Sequence, residues 1–357
     1  MTLRIDQFHT NVSPGSSITN QILNLQDMLR GMGYHSRIVC EQMPDRFPER
    51  IESMAAYTRR ASAADVLLLH FSLNYSQTVM DWLKALPCRK VLIYHNITPH
   101  AWFAGINNVY WEAARTGRAQ LSQLRPLVQA GWGDSAYNCR ELQANNWEQT
   151  GVLPIIFNPA RVKGRAERKI LKRWQKGVNI LFVGRISPNK RLEDVILSFY
   201  YFKQFVNAEA RLFLMGAAGG MERYLNYLQT LVQRLALRDV FFTGHTLPKD
   251  WRAYYQIADI YLSMSEHEGF GIPLLESMYF EVPIIAYKAA AIPETLGGSG
   301  ILISKKNFAA IAELMGLVVE DHALRAEIIA GQNRRLQDFM PSAVKPRLEG
   351  LLNQLDL

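Results

Sequence analysis

Residues 259–278 read DIYLSMSEHEGFGIPLLESM. The first seven, DIYLSMS, carry the β-branched and aromatic residues of a short strand. From Ser265 the stretch SEHEGFGIPLLESM holds a glycine-bearing turn (Gly269, Phe270, Gly271), then an apolar helical start at Ile272, Pro273, Leu274 and Leu275. Proline suits the first helical turn, where its missing N–H would lack an intrahelical partner anyway. The turn and helix start therefore present backbone N–H groups and the positive end of a helix dipole, which suits a phosphate. Glu268 stands before the turn and Glu276 about two turns into the helix. Two carboxylates flanking one anion site match a nucleotide-sugar: amides for the diphosphate, one carboxylate for sugar hydroxyls, the other for ribose hydroxyls. Two glutamates at this spacing also describe an ordinary solvated face, so the surroundings decide.

The surroundings are repetitive. In the second half, strand-like runs NILFVGRI (179–186), ARLFLMGA (210–217), VFFTG (240–244), DIYLSMS (259–265), VPIIAY (282–287) and GILIS (300–304) alternate with amphipathic stretches near 191–206, 221–237, 249–258, 274–280 and 308–318. Strands apolar on both faces, separated by helices, predict a parallel sheet covered on both sides. The first half is less regular, with LRIDQF, SRIVCE, DVLLLHF, KVLIYHN and AGWGDS as strands and residues 18–32 as the clearest helix. The predicted fold is α/β, two doubly wound Rossmann-like domains facing across a cleft. Ligands of such sheets bind at the carboxyl ends of the strands. The expected boundaries are 1–160 for the first domain, 161–177 for a basic interdomain linker, 178–335 for the second domain, and 336–357 for a C-terminal helix packing back on the first.

Composition narrows the class. The 357 residues are 48% hydrophobic and 20% charged, as in a soluble globular protein. The most apolar run, ADVLLLHFSL (64–73), is too short to span a bilayer and is interrupted by His70. The N-terminal MTLRIDQFHTNVSPG has no signal-peptide core, and Cys40, Cys88 and Cys139 lack metal-ligand spacing, so a cytoplasmic protein with buried free thiols is expected. The net charge of +8 sits almost wholly in 161–177, RVKGRAERKILKRWQKG, with eight Lys/Arg against one Glu. With Ile170, Leu171 and Trp174 this stretch could rest on anionic headgroups at the inner face of the plasma membrane; a solvated helix is the plainer reading. Nothing accompanies it that would make it a nucleic-acid site.

A second motif lies in the same half. FVGRISPNKR (182–191) is a strand, a glycine turn at Gly184, then Arg185 and Lys190 ahead of the next helix. Both cations would stand at the carboxyl end of the sheet, an Arg fork and a Lys point charge suited to a diphosphate.

Together GRISPNKRLEDVI, FLMGAAGGMERY, FFTGHTLPKDWRAYYQIADIYLSMSEHEGFGIPLLESM and VPIIAYKAAAIPETLGGSGIL resemble the retaining glycosyltransferases of family four, which have the GT-B fold. The resemblance is dense over about 178–305 and thinner before it. It implies that Arg185 and Lys190, with Gly184, hold the donor diphosphate, that Glu268 contacts the transferred sugar and that Glu276 binds the ribose. Turn residues Phe270, Gly271, Ile272 and Leu274 would contribute backbone contacts. In the first, acceptor-side half, VSPGSSITNQI resembles the loop in which a glycine, here Gly15 and with it Ser16, lets backbone approach the phosphate. KVLIYHNITPH places His95 where the family has a histidine near the donor sugar, and GDSAYNCREL resembles the segment before the domain connection.

The chain contains no DxD motif, so no metal and no cofactor are expected; leaving-group charge would fall on Arg185, Lys190 and helix-end amides. The resemblance implies retention without a protein nucleophile, with Glu268 as a positioning group and with domain closure excluding water. It implies a hexose donor, GDP-mannose or a UDP-hexose, and a glycan or lipid-linked saccharide acceptor in bacterial polysaccharide or lipopolysaccharide synthesis. A non-catalytic nucleotide-sugar-binding partner of another transferase and a sugar-nucleotide epimerase remain as alternatives. His245, His267, Asp259 and Glu294 read as local residues. Trp102, Phe103 and Trp111 read as packing rather than an acceptor platform.

Overall fold

The computed structural model describes residues 3–355. Two compact units emerge. Unit 1 comprises the described parts of Met1–His100, Trp111–Asn158 and Asp338–Leu357; unit 2 comprises Ala101–Tyr110 and Pro159–Gln337.

Unit 1 is built on seven parallel strands: β1 (Ile5–His9), β2 (Ile38–Cys40), β3 (Ile51–Ser53), β4 (Val66–Phe71), β5 (Arg89–Tyr94), β6 (Ala130–Gly133) and β7 (Thr150–Val152), in the order β3-β2-β1-β4-β5-β6-β7. The short β3 and β7 escaped the sequence reading, being only three residues each and half-buried. Serine begins the helices here. Ser16, Ser53, Ser76 and Ser135 each accept a backbone N–H three residues on, which satisfies one otherwise orphaned donor. The C-terminal helix Pro341–Asn353 contributes Val344, Leu348, Leu351 and Leu352 to the same core as Ile5, Leu25, Val66, Val91 and Trp132. Each such fully buried side chain stabilises by about 1.5–3 kcal/mol, so this helix is integral to the unit.

Unit 2 has six parallel strands: β8 (Asn179–Val183), β9 (Arg211–Met215), β10 (Val240–Gly244), β11 (Ile260–Ser263), β12 (Ile284–Tyr287) and β13 (Ile301–Ile303), in the order β10-β9-β8-β11-β12-β13. The strand order reverses between β1 and β4 in unit 1 and between β8 and β11 in unit 2. At such a reversal the two connections leave in opposite directions and open a crevice beyond the strand ends. In unit 2 those ends carry the FVGRISPNKR and SEHEGFG motifs.

The basic stretch 161–177 is more than a linker. It belongs to unit 2 and forms the helices Pro159–Val162 and Arg168–Trp174. Trp174 packs against Phe213 and Phe241 of the sheet, with the Arg173 and Arg211 guanidiniums over its ring. All eight of the segment's cations are exposed. Among the described residues no helix is long and apolar enough to cross a membrane, and all three cysteines are buried free thiols.

Candidate functional site

At the switch point of unit 2 the chain leaves β8 through Gly184. A Cβ at Gly216, just beyond β9, would lie 1.9 Å from the Gly184 carbonyl oxygen, so only glycine permits this backbone crossing. Gly184 donates to Met215 O and Ile186 to Ala217 O, both at 2.9 Å, fixing the path of the loop. Asn189 then stitches it to the next loop. The Asn189 side chain receives the Ser187 hydroxyl proton (2.7 Å) and donates to His267 O (2.9 Å), while Glu266 N–H donates to Asn189 O (2.9 Å). Asn189 is buried, so these bonds are sheltered from water. The stitch brings the two motifs together: Lys190 Nζ lies 2.5 Å from Glu268 Oε2, with 18% and 16% of the two side chains exposed.

Glu276 stands on the helix Ile272–Tyr279. Tyr255 OH donates to its Oε2 at 2.7 Å, and Trp251 gives a second hydrogen bond from the same neighbouring helix, Pro248–Ile257. Burial pushes its pKa up to about 7, with those two donors opposing the rise. Both glutamates bear on one side chain. The fully buried Tyr261 phenol is raised well above its ordinary value by burial first, and then by the charges of Glu268 and Glu276.

The intervening turn has Gly271 at φ +93° as helix N-cap, a conformation that glycine adopts without strain. Phe270 is buried and its carbonyl accepts the Thr295 hydroxyl at 2.5 Å; Ile272, half-buried, opens the helix. Leu274 departs from expectation, because its N–H donates to Gly271 O at 2.9 Å and closes the first turn instead of facing a ligand. Arg185 is exposed, its guanidinium 4.9 Å above the Tyr110 ring.

Three residues here went unread in the sequence. Besides Asn189, Lys306 bonds Asp194 Oδ2 and Glu266 Oε1, each at 2.6 Å, and lies 4.5 Å over the Tyr287 ring. Arg191, left-handed at φ 51°, bridges Glu193 and Asp194. The acidic pair following NKR was the available signal, since buried or half-buried carboxylates call for cations.

Unit 1 answers differently. Gly15 is exposed at φ +83° in the loop after β1. The Ser16 hydroxyl caps the helix Ser17–Gly31 by accepting from Thr19 N–H, so capping accounts for it. His95 is held on both sides. Its side chain is 4% exposed, with Nδ1 2.8 Å from Asp134 Oδ2 and Nε2 2.8 Å from His70 Nδ1. Both ring nitrogens are engaged within the unit.

The remaining residues are local. Asp259 accepts from Asn179 N–H, Trp111 meets His100 edge-on, Phe103 packs on Tyr110, and His245 is exposed.

Comparison with known proteins bears on both halves of the chain. Residues 165–335 match the family Glycosyl transferases group 1. The chain is 29% identical over 183 residues to the alpha-monoglucosyldiacylglycerol synthase of Streptococcus pneumoniae, covering 46% of this chain and 39% of that protein. It is 24% identical over 146 residues to O-antigen chain mannosyltransferase B of Escherichia coli, covering 41% and 38%. The match thus spans about two-fifths of those relatives' own lengths. Among solved structures, HepE of Anabaena in complex with UDP and glucose superposes with a TM-score of 0.77 over 98% of this chain and 99% of that one, at 17% identity. The sucrose-phosphate synthase of Thermosynechococcus elongatus gives 0.77 over 99% of each at 15% identity. At such identity the likeness establishes the fold, and the fold is GT-B.

Proposed function

We propose, from the match of residues 165–335 to the family Glycosyl transferases group 1, that the chain is a retaining, metal-independent hexosyltransferase acting from a nucleotide-sugar. The observation that carries this reading is the Lys190–Glu268 pair at 2.5 Å, at the strand-order reversal of unit 2. A cation and two carboxylates around a helix N-terminus are the groups a nucleoside diphosphate hexose requires.

When the donor binds, its diphosphate takes Lys190 from Glu268. Glu268 is then free to accept hydrogen bonds from sugar hydroxyls. As the bond from C1 to the phosphate oxygen breaks, negative charge builds on the leaving diphosphate, where Lys190, Arg185 and the helix dipole stabilise it. Glu276, held by Tyr255 and Trp251, accepts from the ribose hydroxyls. The acceptor hydroxyl attacks the face the diphosphate leaves and passes its proton to the departing phosphate oxygen, which retains the anomeric configuration. The donor is a UDP-hexose or GDP-mannose, a reading supported by HepE, solved with UDP and glucose, and by an O-antigen mannosyltransferase among the relatives. A glycan or lipid-linked acceptor fits the named relatives, and the exposed cations of 161–177 suit an anionic membrane surface.

The test is nucleotide release from UDP-glucose, UDP-galactose, UDP-N-acetylhexosamines and GDP-mannose with diacylglycerol or undecaprenyl-linked saccharide acceptors. Acceptor-dependent release, giving an α-linked product from an α-linked donor, supports the reading. A β-linked product, or no turnover by folded protein across the panel, opposes it.

A further inference from the structure

Unit 1 buries a hydrogen-bonded chain that crosses its sheet at the strand-order reversal. It runs from Gln7 on β1 through His70 on β4 and His95 just after β5 to Asp134 just after β6. His70 Nε2 lies 2.9 Å from Gln7 Oε1, His70 Nδ1 lies 2.8 Å from His95 Nε2, and His95 Nδ1 lies 2.8 Å from Asp134 Oδ2. Gln7 and His70 are wholly buried, and the two imidazole planes are only 11° apart.

Each contact needs one proton, and one end of the chain fixes where the protons go. The Gln7 amide nitrogen donates to the Ile22 carbonyl at 3.0 Å. A carbonyl only accepts, so the Gln7 NH2 group must face Ile22 and its oxygen must face His70. His70 therefore carries its proton on Nε2. Its Nδ1 is then a lone pair, because a buried doubly protonated His70 is disfavoured by desolvation first and by the charges of His95 and His9. Nε2 of His95 must in turn donate to that lone pair. The remaining nitrogen of His95 faces a carboxylate oxygen, where a second lone pair would repel. Asp134 is itself buried, and its other oxygen, Oδ1, has no hydrogen bond among the described residues. A buried carboxylate in that position calls for a cationic partner.

We propose that Gln7 and His70 lock His95 as an imidazolium paired with Asp134, so that His70 is a positioning residue and His95 a fixed cation at the carboxyl edge of this sheet. His95 then has no lone pair with which to take a proton, and its part at this edge is electrostatic. The inference is independent of which group the enzyme transfers.

Imidazole nitrogen NMR of the full chain, labelled with 15N-histidine, reads the arrangement directly at neutral pH. Resonances of the eight histidines are assigned with His70→Gln and His95→Gln variants. The expected pattern is protonated nitrogens at both positions of His95, a protonated Nε2 on His70 and an unprotonated Nδ1 on His70. An unprotonated nitrogen on His95, or a proton on His70 Nδ1, overturns the proposal. Gln7→Met removes the acceptor that sets the direction, so His70 should then show a mixture of both tautomers. A folded Gln7→Met protein with an unchanged His70 pattern also overturns it. If that variant does not fold, the wild-type pattern alone decides.

Discussion

Lys190 Nζ and Glu268 Oε2 are bonded at 2.5 Å, so two residues assigned to opposite ends of one donor molecule hold each other. The pair keeps both charges satisfied at a half-open sheet edge, and it sets the competition a diphosphate must win. Stability and catalysis should therefore separate on substitution.

Lys190→Ala and Glu268→Gln should each lower kcat/KM by roughly 10²–10³, the usual loss on removing one transition-state donor or its positioning group. The pair is partly exposed, so its loss should cost only about 1 kcal/mol of stability. Steady-state kinetics beside thermal unfolding checks this, and a loss of activity that merely tracks a loss of fold would contradict it.

Glu276 should make both stability and donor binding depend on pH. Its folded-state pKa of about 7 lies above the ordinary carboxyl value, so between the two the folded protein holds the proton more tightly than the unfolded chain does. Its contribution to stability is therefore fully present below the unfolded value and is lost as pH rises through about 7. Glu276→Gln should lose this dependence, and its melting temperature should gain on wild type as pH is raised. Nucleotide affinity should run the other way and tighten in wild type across the same window, because the carboxylate is the form that accepts ribose hydroxyls. Paired pH series of unfolding and nucleotide binding decide both signs.

Asn189→Leu should raise the donor KM and destabilise by roughly 1–3 kcal/mol, the cost of losing its buried hydrogen bonds to the Ser187 hydroxyl and the His267 carbonyl. Both motif loops lose their mutual register in this variant, although no residue expected to touch donor has changed. An unchanged KM would show that the stitch is unnecessary.

Gly216→Ala should disrupt the site where Gly219→Ala does not. The first places a Cβ 1.9 Å from the Gly184 carbonyl oxygen, while the second meets nothing within 4 Å. Overpacking of that kind costs typically about 1–3 kcal/mol and shifts backbone. Thermal unfolding and donor KM of the two variants make the comparison.

Replacing Arg165, Lys169 and Lys172 together by Glu should abolish flotation with vesicles containing anionic lipid and leave the unfolding temperature nearly unchanged, because these cations are exposed. Unchanged flotation would remove the membrane role of the segment.

The sheets, and the turn and helix that carry the two glutamates, were legible because they rest on local signals: apolar strand runs, glycine turns and a proline at a helix start. Leu274 was misread because spacing alone does not say whether an amide faces outward or closes its own turn. His95 was correctly placed at a strand end, but its partners come from DVLLLHF and GDSAYNCREL, tens of residues away in each direction. The clue was present, since a histidine or glutamine inside an otherwise apolar strand must find a buried partner. Trp174 was likewise read as part of a free amphipathic face, whereas Phe213 and Phe241, from strands still to come in the chain, cover it.

Calorimetric titration of UDP-glucose and GDP-mannose into wild type and Glu276→Ala tests whether the strand-order reversal of unit 2 is a nucleotide-sugar site. One of the two should bind wild type, and the variant, still folded, should bind it at least about tenfold more weakly, a difference of about 1.4 kcal/mol. Equal affinity in the variant would contradict the assignment of Glu276, and no binding of either to folded wild type would contradict the site.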